Sequence, residues 1–487
     1  MSVPQETLAR LASLGIVPTG VADDSRQVRP GDVFLAYPGD LADGRRYIPD
    51  ALARGAVAVV WQAGGDFAWN PVLTAANLQA DGLRALAGPL AHTVYGEPSA
   101  ALSLIAITGT NGKTTVSQFI AHALNGRCAV IGTLGAGFPG ALEETGFTTP
   151  EATTLMRKLA EFRQLGATAC ALEASSIGIE EGRMNGALVD VAVFTNFTRD
   201  HLDYHGSMEA YAAAKQKLFV WPGIRTAIIN LDDAFGRQLQ AVTTARSVLG
   251  YSIGGLGNVR AEKLRETPMG QCFTLVLPNA SLDVETGLLG RYNISNLLAV
   301  AAVLHDAGLQ ASEIGARLSA LQAPAGRMER LGGVGEPLLV IDYAHTPDAL
   351  ENVLVTLCEV ATVRGGQLCV LFGCGGDRDK GKRSQMGEVA GRLADRVLLT
   401  SDNPRSENPA QIIADIQAGI GQVEVEVDRA QAIRRAVAAA ADNDVVLLAG
   451  KGHEAYQESL GVRTPFSDVE QARSALLQRR AARREVA

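Results

Sequence analysis

The chain has 487 residues, room for two to four domains that each bury a core. An apolar fraction of 47% and a charged fraction of 20% are those of an ordinary globular protein, and a net charge of −8 argues against a nucleic-acid partner, which would leave a basic footprint. No apolar run is long enough to cross a bilayer, no signal-peptide pattern is present, and Cys128, Cys170, Cys272, Cys358, Cys369 and Cys374 form no CxxC pair, so free thiols in the cytoplasm and no membrane association are expected.

In chain order, residues before about 88 form a region of Asp-, Gly- and Pro-rich loops without a phosphate-binding signature. Short β-branched runs then alternate with glycine-rich turns and amphipathic helices, which predicts βαβ units around a largely parallel sheet. The first series of strands is expected around Ser103–Thr108, Cys128–Thr133, Ala169–Ala174, Val189–Asn196 and Thr226–Asn230. A helical pattern over Gly290–Ala323 ends at Pro324-Ala325-Gly326, a linker by composition. A second series follows around Leu338–Tyr343, Gln367–Gly373, Arg396–Ser401 and Asp444–Gly450. The basic tail Gln478–Arg484 reads as the solvated, frayed end of a helix. The fold expected is α/β with three domains, 1–88, 89–325 and 326–487. Nearly every strand ends in a polar or glycine-rich cluster, and ligands of open α/β sheets bind beyond the carboxyl ends of the strands. Two sheets whose functional edges face a common site are therefore expected.

Gly109-Thr110-Asn111-Gly112-Lys113-Thr114-Thr115 follows a strand and opens a helix, the setting in which backbone N–H groups cradle phosphate. Its first glycine lies closer to the Gly-Lys pair than the general P-loop spacing, so it is a variant of that loop. Glu173 ends a buried-looking strand and suits Mg²⁺ beside a phosphate, an exposed loop glutamate being the equal alternative. His201 and His205 are spaced to share a helix face as zinc ligands, but no third ligand has convincing spacing and Gly206 interrupts the helix. A Mg²⁺ or substrate loop, or a merely polar one, remains open there. Lys215 lies in the helical stretch Tyr211–Lys217 and by pattern alone is a solvated lysine. Arg378 and Arg405 sit in polar clusters at strand ends beside Gly450-Lys451-Gly452-His453-Glu454. Two such guanidiniums favour recognition of a substrate carboxylate over ordinary ion pairing.

The P-loop variant, Asp200-His201, Gly290-Arg291-Tyr292-Asn293-Ile294-Ser295-Asn296, Gly326-Arg327-Met328-Glu329 and Asp342-Tyr343-Ala344-His345-Thr346-Pro347 together resemble the Mur ligases, in family order and over essentially the whole chain. The opening segments Asp24–Val28, Gly31–Phe34 and Asp43–Ile48 resemble the uridine-nucleotide-binding domain of the member that adds the third peptide residue. Asp402-Asn403-Pro404-Arg405 resembles the form that uses meso-diaminopimelate. The resemblance implies an N-terminal uridine-nucleotide-binding domain, a central P-loop ATPase domain and a C-terminal Rossmann-like domain. It also implies an ATP-dependent, ADP-forming ligase of peptidoglycan precursor synthesis. The D-glutamyl carboxylate of UDP-N-acetylmuramoyl-L-alanyl-D-glutamate takes the γ-phosphoryl of ATP, and the amine of meso-diaminopimelate attacks the acyl phosphate.

By residue, the resemblance assigns ATP to Gly109, Thr110, Asn111, Gly112, Lys113, Thr114 and Thr115, with Asn293 at the adenine and Arg327 and Asp342 near ATP. Mg²⁺ falls to Thr114, Glu173, His201 and Lys215, the last carbamylated by CO₂ so that an ammonium becomes an anionic oxygen ligand. Lys113, Lys215, His201 and Glu173 are the catalytic set. Ser25, Thr148, Thr149, Ser175 and Arg183 take the UDP-muramoyl-dipeptide; Arg378, Asp402, Asn403, Arg405, Gly450 and Glu454 take diaminopimelate. Ile177 departs from the family, which has His or Gln there. Domain closure around ATP and a monomeric state are further expectations. The rivals are the lysine-adding ligase of the same family, argued against by a buried Arg405 whose guanidinium lysine would leave unpaired; a folylpolyglutamate-type ligase, which has no counterpart of residues 24–48; and a non-biosynthetic P-loop ATPase, argued against by the absence of any partner-binding repeat.

Overall fold

In the computed structural model the described residues are 2–39, 42–267 and 270–486. They group into two compact units. The first comprises residues up to Arg260 with Leu277–Asn279 and Ser295–Ile314; the second comprises Ala261–Val276, Ala280–Ile294 and residues from Gly315 onward.

The first unit begins with four parallel strands, β1 (Gly20–Ala22), β2 (Asp32–Ala36), β3 (Ala58–Trp61) and β4 (Ala76–Gln79), paired in that order. Then come β5 (Ser103–Thr108), β6 (Cys128–Gly132), β7 (Gly135–Phe138), β8 (Ala141–Glu143), β9 (Ala169–Glu173), β10 (Val191–Phe194), β11 (Thr226–Asn230) and β12 (Ser247–Ser252). Their order is β12-β11-β10-β5-β9-β6-β7-β8, parallel except that β7 runs antiparallel to both β6 and β8. Strand β5 is buried almost throughout, as its run of Leu, Ile and Ala requires of a central parallel strand. The chain moves from β5 out to β6 and β9 on one side and to β10 on the other. The end of β5 is thus the point where the winding reverses, and a crevice opens at such points.

One apolar core joins the two sheets of this unit. The helix Leu83–Val94 contributes Leu83, Leu86 and Leu90, and the helix Ala152–Gln164 contributes Leu155, Met156 and Leu159, each at three- and four-residue spacing. They pack with Val33, Leu35 and Val60 of the first sheet and with Leu104, Ala106 and Leu172 of the second. Residue 88 falls inside the helix Leu83–Val94.

After β12, the strands β13 (Val259–Thr267), β14 (Gly270–Leu277) and β15 (Ala280–Thr286) are neighbours in that order. The predicted helical stretch 290–323 forms two helices, Arg291–Asp306 and Ala311–Ala320. The second unit then holds β16 (Glu329–Gly332), β17 (Leu338–Asp342), β18 (Leu368–Phe372), β19 (Arg396–Leu399), β20 (Glu424–Val425) and β21 (Val445–Ala449). Their order is β16-β17-β21-β18-β19-β20, with only β16 antiparallel. Successive residues of β17, β18 and β21 enter the cores on opposite faces, Val340 and Phe372 on one and Ile341 and Leu371 on the other. An antiparallel hairpin, β22 (Tyr456–Ser459) and β23 (Val462–Pro465), precedes the final helix Asp468–Val486.

The predicted strands are present: Ser103–Thr108 and Thr226–Asn230 keep their bounds, and the others end one or two residues earlier where their polar clusters leave the sheet, as Val189–Asn196 contracts to Val191–Phe194 and Arg396–Ser401 to Arg396–Leu399. All six cysteines are free thiols. The basic tail is not a frayed end. Arg479 donates to Val437 O and pairs with Asp442, Arg480 pairs with Glu336 and Arg483 with Asp442, fastening the helix to its own unit; the Arg484 side chain lies outside the described residues. Deeper, Arg429 and Asp468, both fully buried, pair through two hydrogen bonds of 2.7 and 2.6 Å, and Arg429 also donates to Ala449 O. Replacing one partner strands the other charge away from water. Arg429→Met is expected to destabilise the second unit by about 3–5 kcal/mol, and Arg429→Met with Asp468→Leu by clearly less, as read by urea unfolding.

Candidate active site

The loop after β5 is built for close approach. Gly109 has φ +149° and a Cβ there would lie 1.9 Å from Thr195 Oγ1; Gly112 has φ +84° and a Cβ would lie 2.7 Å from Asn296 Oδ1. Only glycine meets both demands. The loop is tied to the segment after β10: Thr110 N donates to Asn196 O, Asn111 N to Asn196 Oδ1, and Thr195 Oγ1 to Asn111 O. Thr110 Oγ1 is within hydrogen-bonding distance of Tyr211 Oη. The helix Lys113–Ala123 starts here, so its free N–H groups face the loop. Lys113 Nζ curls back onto Gly109 O (2.9 Å) and Thr110 O (2.8 Å).

Glu173, the last residue of β9, is wholly buried, which disposes of the exposed-loop alternative. Its carboxylate accepts from Thr114 Oγ1 (3.0 Å), Thr133 N (3.1 Å) and Thr133 Oγ1 (3.1 Å). One carboxylate and two hydroxyls are hard oxygen donors of the kind Mg²⁺ takes alongside phosphate oxygens and water. The residues therefore fit Mg²⁺. Among the described residues no three His, Cys, Asp or Glu side chains converge as a metal site.

Lys215, in the helix Met208–Phe219, is 1% exposed, so the solvated-lysine pattern is overturned. The helix presents it inward, and its Nζ donates to Gly109 O at 2.9 Å, the same carbonyl that Lys113 uses. Burial above all, with the Lys113 charge adding to it, holds the Lys215 ammonium well below its ordinary pKa, against the smaller pull of Asp200. His201 has φ +52° and its ring lies 3.5 Å from Asp200, whereas His205 Nε2 contacts Ser176 Oγ at 3.0 Å. Both rings lie beside Tyr211, with centroids 6.1 and 5.2 Å away, and among the described residues they belong to no cluster of three metal-ligating side chains; the Asp203 side chain lies outside the described residues.

The expected dipeptide residues gather at the same strand end. Thr149 Oγ1 donates to Glu173 O (2.7 Å) and lies 3.0 Å from Ser175 Oγ; Arg183 Nη1 donates to Thr149 O, and Thr148 Oγ1 is 3.1 Å from Thr133 Oγ1. Arg183 is held by Glu181 at 2.7 Å and covers the Phe147 ring. Ser25 lines a cavity of about 690 Å³ together with Tyr37, Tyr47, Phe147, Glu151 and Arg183. Burial raises the Glu151 pKa, partly offset by Arg183. Ile177 lies half-buried in the helix Ser176–Glu180 with no hydrogen-bonding side chain.

In the second unit, Asn293 donates to Leu289 O, the Asp342 carboxylate accepts from Met328 N and Ala344 N, and the Arg327 guanidinium stacks on Tyr343. Burial raises the Asp342 pKa, with Arg327 opposing it. The ends of β18, β19 and β21 bring the remaining predicted residues together. Asn403 Nδ2 donates to Glu454 Oε2 (2.7 Å), and a Cβ on Gly450 would lie 2.7 Å from Asp402 Oδ2. Arg405, at φ +49°, donates to Gly376 O, and a Cβ on Gly375 would contact both Arg405 and Arg378. Arg405 is half-buried rather than buried, its guanidinium held on a backbone carbonyl of the neighbouring loop; Arg378 is exposed. Burial raises the Asp402 pKa, countered by Arg429 and Lys451. Sequence reasoning missed Thr133, Asn196, Asn296 and Lys451. Asn296 lies inside a motif already singled out, one turn beyond Asn293; Thr133 gives no signal apart from ending a predicted strand.

Comparison with known proteins accords with this geometry. Three family models match in succession: "Mur ligase family, catalytic domain" over residues 18–97, "Mur ligase middle domain" over 107–304 and "Mur ligase, glutamate ligase domain" over 326–452. The chain belongs to the Mur ligase family, with its three-domain α/β architecture. It is 52% identical over 460 residues to the UDP-N-acetylmuramoyl-L-alanyl-D-glutamate–2,6-diaminopimelate ligase of Pseudomonas aeruginosa, covering 93% of this chain and 94% of that protein. It is 50% identical over 481 residues to the ligase of the same name from Chromobacterium violaceum, covering 98% and 97%. A solved structure of a UDP-N-acetylmuramoyl-L-alanyl-D-glutamate–2,6-diaminopimelate ligase superposes with a TM-score of 0.70 at 38% identity over 95% of both chains. A Mycobacterium tuberculosis folylpolyglutamate synthase shares the fold over 75% of this chain (TM-score 0.59, 18% identity).

Gly109→Ala forces a Cβ against Thr195 in a backbone region costly for alanine. It is expected to weaken ATP binding by about tenfold or more in calorimetry, the equivalent of about 1–3 kcal/mol of strain.

Proposed function

We infer that this chain catalyses ATP-dependent, ADP-forming addition of meso-diaminopimelate to UDP-N-acetylmuramoyl-L-alanyl-D-glutamate, a step of peptidoglycan precursor synthesis. The observation that carries the reading is the convergence of the phosphate loop, Glu173 and the Thr148–Thr149–Ser175–Arg183 group on one strand edge, the ends of β5 and β9. A carboxylate is a poor electrophile, and this edge sets a carboxylate-binding group beside a phosphate-binding one. The helix N-terminus and Lys113 hold the terminal phosphates of ATP in line with the D-glutamyl carboxylate; phosphoryl transfer gives an acyl phosphate and ADP. The diamino acid's amine then attacks the acyl carbon, and phosphate leaves.

Thr114 and Glu173, with His201 and Lys215, are the residues for Mg²⁺, which supplies neutralisation of the phosphate charge. Lys215 serves there as a carbamate. Its depressed pKa supports this: a neutral amine adds CO₂ and loses a proton, turning a cation that repels a metal into an oxygen donor. Below the depressed pKa the amine is protonated, so carbamate is favoured as pH rises. Gly109–Thr115, Asn293, Arg327 and Asp342 are assigned to ATP, and Ser25 and Arg183 to the UDP-muramoyl-dipeptide. Arg378, Asp402, Asn403, Arg405, Gly450 and Glu454 are assigned to the diamino acid. Arg405 carries the specificity, since the distal carboxylate that pairs with its guanidinium is missing from L-lysine. No helix among the described residues is long and apolar enough to cross a membrane; we place the reaction in the cytoplasm and the enzyme as a monomer.

Phosphate release with the dipeptide nucleotide, ATP and Mg²⁺ tests the reading, with meso-diaminopimelate or L-lysine offered in parallel. We expect kcat/KM to favour diaminopimelate by about a hundredfold or more. Preference for lysine would overturn the role of Arg405, and silence with both would overturn the function. Lys215→Ala is expected to lose more than about a hundredfold in kcat, with partial recovery when a small free anion such as bicarbonate fills the vacated space as an oxygen donor in place of the carbamate. Full activity of that variant would remove the carbamate from the account.

A further inference from the structure

Lys451 is fully buried at the end of β21, between two residues assigned above to the diamino acid, yet it has no role in that assignment. Its Nζ donates to Asn403 Oδ1 (3.1 Å) and to Glu454 Oε2 (3.0 Å) and lies 5.7 Å from the centre of the Tyr456 ring. Asn403 Oδ1 also accepts from Glu458 N at 2.9 Å, and Asn403 Nδ2 donates to Glu454 Oε2 at 2.7 Å.

An asparagine amide has two orientations, and only its oxygen can meet a donor. Lys451 Nζ and Glu458 N both donate to one end of Asn403, so that end is the oxygen and the Nδ2 end is turned to Glu454. Both donors to Glu454 fall on Oε2. We propose that Lys451 is a positioning residue for the diamino-acid site: its buried ammonium fixes the Asn403 amide orientation and holds Glu454 by one oxygen, leaving Oε1 to receive the substrate's ammonium group. This rests on the functional reading above. Lys451 makes no contact with substrate in this role; it decides how two substrate-facing groups are presented.

The backbone supports the same division of labour. Lys451 follows Gly450, which packs against Asp402, and Gln457 Nε2 donates to Asp402 O at 2.7 Å. The hairpin β22–β23 and the loop after β19 therefore meet around Lys451, whose ammonium is shared by Asn403 and Glu454.

The test is steady-state kinetics of the full chain with each substrate varied in turn, for Lys451→Met, Lys451→Gln, Glu454→Gln and the double variant Lys451→Met/Glu454→Gln. Lys451→Met is expected to raise KM for meso-diaminopimelate by about tenfold or more while KM for ATP and for the dipeptide nucleotide stays within about twofold. Lys451→Gln, which keeps an uncharged donor for Asn403, recovers part of that loss and serves in its place should the methionine variant not fold. The double variant loses less than the sum of the two single losses, because part of the Lys451 effect passes through Glu454. Unchanged kinetics in both lysine variants overturn the proposal, as does an equal loss toward all three substrates or additive losses in the double variant. Failure of the wild-type protein to use diaminopimelate overturns instead the functional reading on which the proposal stands.

Discussion

The carbonyl oxygen of Gly109 accepts from two lysines, Lys113 out of the phosphate loop and Lys215 out of the helix Met208–Phe219. Two ammonium groups on one oxygen repel, and little water reaches the buried one to screen them. Such an arrangement favours whatever removes or answers the charge: a polyphosphate for Lys113, deprotonation for Lys215. Much of the central site follows from this pairing. The loop must be glycine to bring its carbonyl within reach, Thr195 and Asn196 must hold it in place, and Lys215 must come from a helix packed tightly enough to exclude solvent.

The same logic places the carboxylate. Glu173 lies at the end of the strand next to β5, so the phosphate loop and a buried oxygen donor are brought together by sheet pairing, independent of any flexible segment. Thr149, bonded to the backbone oxygen of Glu173, carries the register one step further toward the Ser25 and Arg183 cavity. In the second unit the ends of β18, β19 and β21 repeat the principle with other chemistry. There a buried ammonium, a buried amide and a half-buried guanidinium replace the phosphate loop.

The parallel strands were legible because buried β-branched runs ending in glycine or polar residues admit few other readings. Within each unit their clusters gather at the strand ends, Glu173 with Thr114 and Thr149 in the first and Asn403 with Glu454 in the second. The antiparallel β16 and β22–β23 were not legible, nor was β14, where burial alternates only over Gln271–Leu277 and polar residues interrupt the apolar ones. Lys215 illustrates a different limit. Periodicity shows that a residue is helical, but which face packs against the phosphate loop is a tertiary fact, and only the family resemblance pointed inward. Lys451 was passed over for the same reason, since a lysine between two glycines reads as loop until Asn403 and Glu454 are seen on either side of it. Arg405 was expected to be buried from the chemistry of its substrate, and the left-handed turn that leaves it half-exposed has no clear sequence mark.

The central claim is that this edge activates a carboxylate by phosphorylating it. The direct measurement is turnover of UDP-N-acetylmuramoyl-L-alanyl-D-glutamate carrying ¹⁸O in the D-glutamyl side-chain carboxylate, with the released phosphate analysed by mass. Transfer through an acyl phosphate moves one labelled oxygen into phosphate for each amide formed, and that is the result the account predicts. Amide formation with unlabelled phosphate would contradict it.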